Sequence, residues 1–483
     1  MIKNKESDVH CSIQKKWIKA LLGDISNIEA GNPAPQGEDF FRNGKFPFVR
    51  VQDLGKLKGQ IYISSTFDNI NEKAIFNMKL IPKGAVLFTK SGMSILLNQR
   101  AILSRDMYVV SHIGYSVPLG NIPSEWIYYW LTIIDFKDLT HATTLPSLQL
   151  SKVKDIFIPL PPLPEQHRII EKIEELFTKL DAGVAALGKV RAQLKRYRQA
   201  VLKAAFSGQL TAEWRQKHSN VGAGSSRPNE SPILDAHGGA TTAPLQNGNL
   251  SDLPPAWMWN YLGNYADVYG WKRLPKDHFY SESKTEFKYI RVTDFENLTI
   301  NQSNIRYLKP ETEKLIVKYK ISKNDIYISI AGSIGKIGTI PDNLDKANLT
   351  ENAAKITNLK NINRKYLSYF LNSNFGQEQI RKLTISSNQP KLALFRIKKI
   401  IIPLTIPDEQ NQIVSEIERR FSVADEVEKT VKNTLMQAKR LRQSILKMAF
   451  EGKLVPQDSN DEPAEKLLER IKAEKELTKK RKV

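Results

Sequence analysis

The chain is written twice. Residues 159–210 open PLPPLPEQHRIIEKIEELF and close LKRYRQAVLKAAFSGQL, while residues 403–454 open PLTIPDEQNQIVSEIERRF and close AKRLRQSILKMAFEGKL. The offset is 244 throughout, with no gap. An ungapped repeat of this kind obliges the fold to contain two copies of one unit, whatever the local signals say. Each copy ends in a long amphipathic helix preceded by mixed, strand-rich sequence. Two similar heads on two similar rods predict a two-fold arrangement.

The helical stripe is legible residue by residue. In the first rod apolar side chains fall at Ile169, Ile173, Leu176, Leu180, Val184, Leu187, Val190, Leu194, Tyr197, Val201 and Ala205. Steps of four and three give a heptad-like seam. Pro164 and Glu165 suit the first turn, and Gly208 suits the C-terminal cap. The second rod carries Ile413, Ile417, Phe421, Val427, Val431, Leu441, Ile445 and Ala449, and is weaker in the middle, where Glu428, Thr434 and Ala438 take stripe positions. A helix this long is not stable alone, so the two rods should pair with each other. Antiparallel pairing fits the connectivity. The expected fold class is α+β, with two pseudo-symmetric recognition domains separated by two long antiparallel coiled-coil helices.

The heads repeat landmarks but little else. Trp17, Leu22 and Gly23 match Trp257, Leu262 and Gly263; Phe48–Asp53 matches Tyr289–Asp294; Lys83–Phe88 lines up with Lys323–Ile328; Pro146–Leu148 lines up with Pro390–Leu392. Conserved rods under divergent heads suggest two different targets held at one geometry. The segments expected are a first head at 1–158, a first spacer helix at 159–218, a flexible linker at 219–252, a second head at 253–402, a second spacer helix at 403–457, and a charged C-terminal helix with a basic tail at 458–483. The linker reading rests on its lack of Lys and its small apolar content.

Charge narrows the target. The 483 residues carry a net charge of +21. Residues 253–402 hold 24 Lys and Arg against 13 Asp and Glu, and residues 1–158 hold 19 against 14. The excess therefore sits in structured segments rather than in a tail, which favours a folded nucleic-acid-binding surface. The single cysteine, Cys11, excludes an intramolecular disulfide and a cysteine metal cluster. No apolar run reaches membrane-span length and Met1–Trp17 is too polar for a signal peptide, so a cytoplasmic protein without membrane contact is expected.

Motifs for chemistry are missing. An amino-methyltransferase needs an Asn/Asp-Pro-Pro-aromatic loop; Asn32-Pro33-Ala34-Pro35 does not supply one. Gly332–Lys336 resembles a phosphate loop, but Ile330 stands where its first Gly belongs and Ile337 replaces its Ser/Thr. The seven His form no ligand cluster, so no metal is expected. Two rival classes stay open on the residues alone: a methyltransferase or nuclease with an unrecognised active site, and a coiled-coil adaptor that reads no DNA.

For DNA contact, Lys and Arg serve phosphates, and Arg, Lys, Asn, Gln and Ser serve base edges. The candidates are Lys90, Ser91, Gln99, Arg100 and Arg105 in the first head. In the second they are Trp271, Lys272, Arg273, Ser333, Lys336, Ser387, Asn388, Gln389 and Lys391. Arg50 and Arg291, in matched strands, are read as structural, and Trp126, Trp130 and Tyr369 as core.

Two helices that open EQ-x-x-I-x-x-x-I (Glu165–Ile173, Glu409–Ile417) and close LK-x-AF-x-G-x-L (Leu202–Leu210, Leu446–Leu454), each preceded by a divergent head, resemble the specificity subunit of type I restriction-modification systems. Ile28–Pro33 and Tyr289–Asp294 resemble head elements of that family; the second head has Gly270-Trp271-Lys272 where the first has the Gly-Asn-Pro of 31–33. The resemblance implies a non-catalytic reader of double-stranded DNA whose heads each recognise half of a bipartite, asymmetric site, with the helices as ruler. It also implies two methyltransferase and two restriction-translocase subunits as partners. S-adenosylmethionine, ATP and Mg would belong to those partners, and none to this chain.

Overall fold

The computed structural model describes residues 15–57, 59–140, 146–218, 253–385 and 389–480. The linker expected at 219–252, Cys11, Ser387, Asn388 and the last three residues of the basic tail lie outside the described residues. Contacts divide the chain into two units, 1–187 with 433–483, and 188–432. Each long helix, Leu163–Phe206 and Pro407–Phe450, contributes one part to each unit.

In the first unit, strands run in the order Ser26–Ala30, Ile113–Pro118, Val86–Thr89, Arg100–Leu103 and Tyr62–Ile63, antiparallel until the last, parallel pair. Successive strand residues point to opposite faces. Val86 and Phe88 accordingly join a core with Trp126 and Phe136, while Leu87 joins another with Phe48 and Tyr115. A three-stranded sheet, Asp68–Ile70, Phe46–Val49 and Tyr108–Val109, covers the second core. Strands Ile18–Leu21 and Phe157–Leu160 pair at the root of the head, just before the long helix starts.

The second unit repeats this plan. Its four-stranded sheet runs Asp267–Gly270, Ala353–Thr357, Ile326–Ser329 and Ile337–Thr339. Ile326 and Ile328 face one core and Tyr327 the other. Strands Met258–Tyr261 and Ile401–Leu404 pair at the root of this head.

The helices grip each head through aromatic residues. In the first unit Phe450 lies against Trp126 and Trp130, at 4.6 and 4.9 Å between centroids, and Phe177 lies against Tyr129 at 5.8 Å. In the second unit Phe206 lies against Tyr366 and Phe370, both at 5.2 Å, and Phe421 against Tyr369 at 5.7 Å. Offset by 244, Phe206 becomes Phe450 and Phe177 becomes Phe421. The helix following one head therefore sends its far end into the other.

The helix pairing obeys the same exchange. Arg442 pairs with Asp181 in the first unit, and Arg198 with Asp425 at 2.6 Å and Glu428 at 2.8 Å in the second. Arg198 and Arg442 are repeat equivalents, as are Asp181 and Asp425. Each unit therefore holds the same ion pair, made between repeat-equivalent positions of the two helices. Because numbers rise on one helix as they fall on the other, the pairing is antiparallel.

Along the seam Ile169, Ile173, Val201, Ile413, Ile417, Val431 and Ile445 are buried, and Leu176, Leu180, Leu187, Leu194 and Phe421 are half-buried. Val184, Tyr197, Val427 and Leu441 correct the stripe: they are 37%, 43%, 39% and 51% exposed. Tyr197 and Leu441 stand one turn before the buried Val201 and Ile445, which belong to the head cores that hold Phe206 and Phe450.

The C-terminal helix, Ala464–Lys480, docks on the first head through Ala464, Leu467 and Ile471. Gly120, with φ +59°, makes room for it: a Cβ there would lie 2.3 Å from Ile471 Cγ1. Lys16 Nζ donates to the carbonyls of Ser459 at 2.6 Å and Asp461 at 2.5 Å, and Arg168 pairs with the Asp461 carboxylate at 2.6 Å. Gly120→Val is expected to weaken docking by about 1–3 kcal/mol, through a left-handed φ that valine resists and a clash with Ile471. Tryptic cleavage inside 464–480 should then accelerate about five- to 150-fold; an unchanged cleavage rate would refute the docking contact.

Candidate nucleic-acid interface

The repeated EQ motif builds the joint between head and helix. In the second unit Glu409 is buried. It accepts from Trp257 Nε1 at 2.8 Å, Thr211 Oγ1 at 2.7 Å, Thr405 Oγ1 at 2.5 Å and the Arg215 guanidinium. Gln410 Nε2 donates to the Thr405 carbonyl at 2.8 Å, and its equivalent Gln166 donates to the Pro161 carbonyl at 2.9 Å. The head helices are fixed to the same junction. Trp126 Nε1 donates to the Pro159 carbonyl at 3.1 Å and Tyr366 Oη to the Pro403 carbonyl at 2.9 Å. These residues set each head's position on its helix pair.

Arg50 and Arg291 also serve structure. Their backbone N–H groups donate to Asp53 and Asp294 at 2.7 and 2.8 Å, and their guanidinium groups pair with Asp68 and Asp294. Trp126 and Trp130 are buried, and Tyr369 packs on Phe421, so all three are packing residues.

Strand register decides which candidates meet. In the first head Ala30 pairs with Gly114, Gly114 with Phe88, and Phe88 with Arg100. The loop 90–99 therefore leaves the same end of the sheet as Gly31–Asn32 and Ser111–His112. Lys90 N–H donates to the His112 carbonyl at 2.8 Å, Ser91 Oγ lies 2.5 Å from His112 Nδ1, and Ser91 bridges to Ser147. Lys90, Ser91 and Gln99 share this end. His112 joins them; a lone histidine with no motif around it carries no signal in the sequence.

One first-head candidate is corrected and a second is set apart from the others. Arg100 is only 5% exposed: its guanidinium lies 3.8 Å from the Phe136 centroid and donates to Asn98 Oδ1 at 2.5 Å. Burial pushes its pKa down to about 9, so it stays a cation at neutral pH. It braces the loop from inside, because strand alternation turns its side chain into the core. Arg105 is exposed but follows Leu103, at the opposite end of the sheet from Lys90.

In the second head Gly270 pairs with Ala354 and Ala354 with Ile328. That register sets residues 271–273, 350–353 and 330–336 at one end of the sheet. Lys272 and Ser333 are exposed there, and Arg273 reaches Glu351 at 3.2 Å. Ala331 bridges to Lys391, which draws in Gln389 and Lys391, both exposed. Lys336 Nζ lies 3.3 Å from the carbonyls of Val292 and Phe295 and lines a cleft of about 980 Å³ facing Arg198 and Asp425. Trp271 is corrected. Its half-buried ring packs edge-on against Tyr319 at 5.9 Å, with Lys355 Nζ 5.3 Å from its centroid, so it supports the surface rather than forming it.

Among the described residues no three His, Cys, Asp or Glu converge on a possible metal position. No helix among them is long and apolar enough to cross a membrane.

Two divergent basic heads, each presenting loops from one end of a sheet and fixed by exchanged helix ends, define a paired recognition scaffold. The family model for the type I restriction modification DNA specificity domain matches residues 14–186 and again 259–437. The specificity subunit of the type I restriction enzyme StySPI from Salmonella potsdam is 30% identical, over 96% of this chain and 96% of its own length. The EcoBI specificity subunit of Escherichia coli is 28% identical, over 96% of this chain and 93% of that one. A chain from a structure titled as the basis of complex assembly and conformational transition of the type I R-M system shares the fold, with a TM-score of 0.67 at 18% identity. That match covers 92% of this chain and 99% of the other. The chain belongs to the type I restriction-modification specificity subunits: it recognises DNA sequence and is not itself the enzyme.

Proposed function

We propose that each head reads one half of a bipartite, asymmetric site on double-stranded DNA, and that the chain directs adenine methylation or restriction by partner subunits. The observation that carries this reading is the exchange of Phe206 and Phe450 between heads. Equivalent joints hold two loop sets that share almost no sequence. Contact falls to Lys90, Ser91 and Gln99 in the first head and to Lys272, Arg273, Ser333, Lys336, Gln389 and Lys391 in the second, with Ser387 and Asn388 adjoining in sequence. The assembly is two methyltransferase and two restriction-translocase subunits around one copy of this chain, in the cytoplasm. S-adenosylmethionine, ATP and Mg are bound by those partners.

Replacing residues 17–158 with the head of another family member tests it. Methylated adenines are mapped by sequencing in cells that also make the partner subunits. One half-site should change and the other persist. A swap that altered both halves together, or neither, would overturn the two-reader assignment.

A further inference from the structure

One feature recurs in both heads although their sequences diverge. Before the central hairpin each chain makes the same tight turn. Met78 N–H donates to the Ile75 carbonyl at 3.0 Å, and Tyr319 N–H to the Ile316 carbonyl at 2.9 Å. In each case the residue after the turn's first member is apolar and points to solvent: Phe76 is 88% exposed and Val317 is 49% exposed. Lysines flank both turns. Lys73 stands before the first, and Lys314 and Lys318 surround the second, all exposed.

Both turns are anchored beside the candidate loops, by different residues. In the first head Asn32 clasps the backbone of Lys79, donating to its carbonyl at 2.9 Å and accepting from its N–H at 2.7 Å. In the second Trp271 packs on Tyr319, and Asn348 Nδ2 donates to the carbonyls of Ile316 at 3.1 Å and Tyr319 at 3.3 Å. Asn32 follows Gly31 and Trp271 follows Gly270, each just past a strand whose end register places at the loop end of its sheet. Anchors drawn from different residues that hold one turn in one place indicate that the turn's position is what matters.

We propose that these two turns, 73–79 and 314–319, are a matched pair of sequence-independent DNA-backbone contacts. Their lysines meet phosphates, and Phe76 and Val317 pack on the adjacent sugars. Different half-sites share no base pattern but do share a phosphate backbone, so a contact kept in both divergent heads fits the backbone. A solvated apolar side chain with exposed lysine near it in sequence fits a polyanion with apolar sugar edges better than it fits an apolar protein groove. The inference rests on the reading of the heads as DNA binders.

The test measures duplex affinity against salt for the chain assembled with its methyltransferase subunits, using a duplex that carries the mapped site and one that lacks it. Lys314→Gln with Lys318→Gln is expected to lower the slope of log K against log salt by about two. Lys73→Gln is expected to lower it by about one, since each phosphate contact contributes about 0.9. Affinity for both duplexes should fall by the same factor, leaving their ratio unchanged, and Lys73→Arg should restore the slope. Phe76→Ala should weaken both duplexes equally without changing the slope. An unchanged slope in the lysine variants overturns the proposal. So does a fall confined to the cognate duplex, which would make the turns base readers, or loss of the methyltransferase subunits on gel filtration, which would make them a protein contact. A wild-type assembly that failed to prefer its mapped site would instead sink the recognition reading itself.

Discussion

Glu409→Ala is expected to lower the unfolding free energy of the 188–432 unit by about 3–5 kcal/mol. The carboxylate is buried and holds four donors at once: the Trp257 indole, the Thr211 and Thr405 hydroxyls and the Arg215 guanidinium. Removing it takes the carboxylate from a half-buried guanidinium, and breaking a buried ion pair costs more than the lost hydrogen bonds alone. The loss also uncouples three segments, since Trp257 opens the second head, Thr211 and Arg215 follow the first long helix, and Glu409 opens the second. Denaturant unfolding of the whole chain, followed by tryptophan fluorescence, should show an earlier transition for this unit. Glu409→Gln keeps an acceptor and should lie between the two. A midpoint unmoved by the alanine variant would refute the joint.

Phe450→Ala should be comparably severe in the other unit, about 3–5 kcal/mol. The ring is buried between Trp126 and Trp130, so truncation leaves a cavity among rigid indoles that cannot collapse into it. The functional effect should be one-sided. Methylation directed by the first half-site should relax, because the first head loses its grip on the helices, while discrimination at the second half-site persists. Sequencing of methylated adenines reads both halves in one experiment. Equal relaxation at both would refute the assignment of Phe450 to one head. Phe450→Leu, which refills most of the volume, should recover the greater part of both stability and selectivity.

The architecture was legible because a repeat with a fixed offset is a statement about three-dimensional equivalence. The pairs Asp181–Arg442 and Asp425–Arg198 are that offset made physical. The EQ motif was legible as a motif but not as a joint, because its partners Trp257 and Thr211 lie far from it in sequence. What escaped were facts set by register and rotation. Arg100 and Arg105 sit five residues apart in a basic stretch, and only strand pairing puts one inside the core and the other at the end of the sheet far from Lys90. Tyr197 and Leu441 fit a seam written in sevens, yet both are exposed one turn before the residues that the head cores take up. The turns at 73–79 and 314–319 offered only a lysine-apolar pattern too common to single out.

The docking of Ala464–Lys480 on the first head has a temporal consequence. The unit made of 188–432 is one uninterrupted stretch of chain and can mature as soon as it clears the ribosome. The other unit cannot: its core draws on Ile445, Phe450, Leu467 and Ile471, which are made last. The module translated first is thus the one finished last, and until then it must wait with its tryptophan-lined cleft uncovered. Premature termination between Lys432 and Ile471 would spare the late module and cripple the early one.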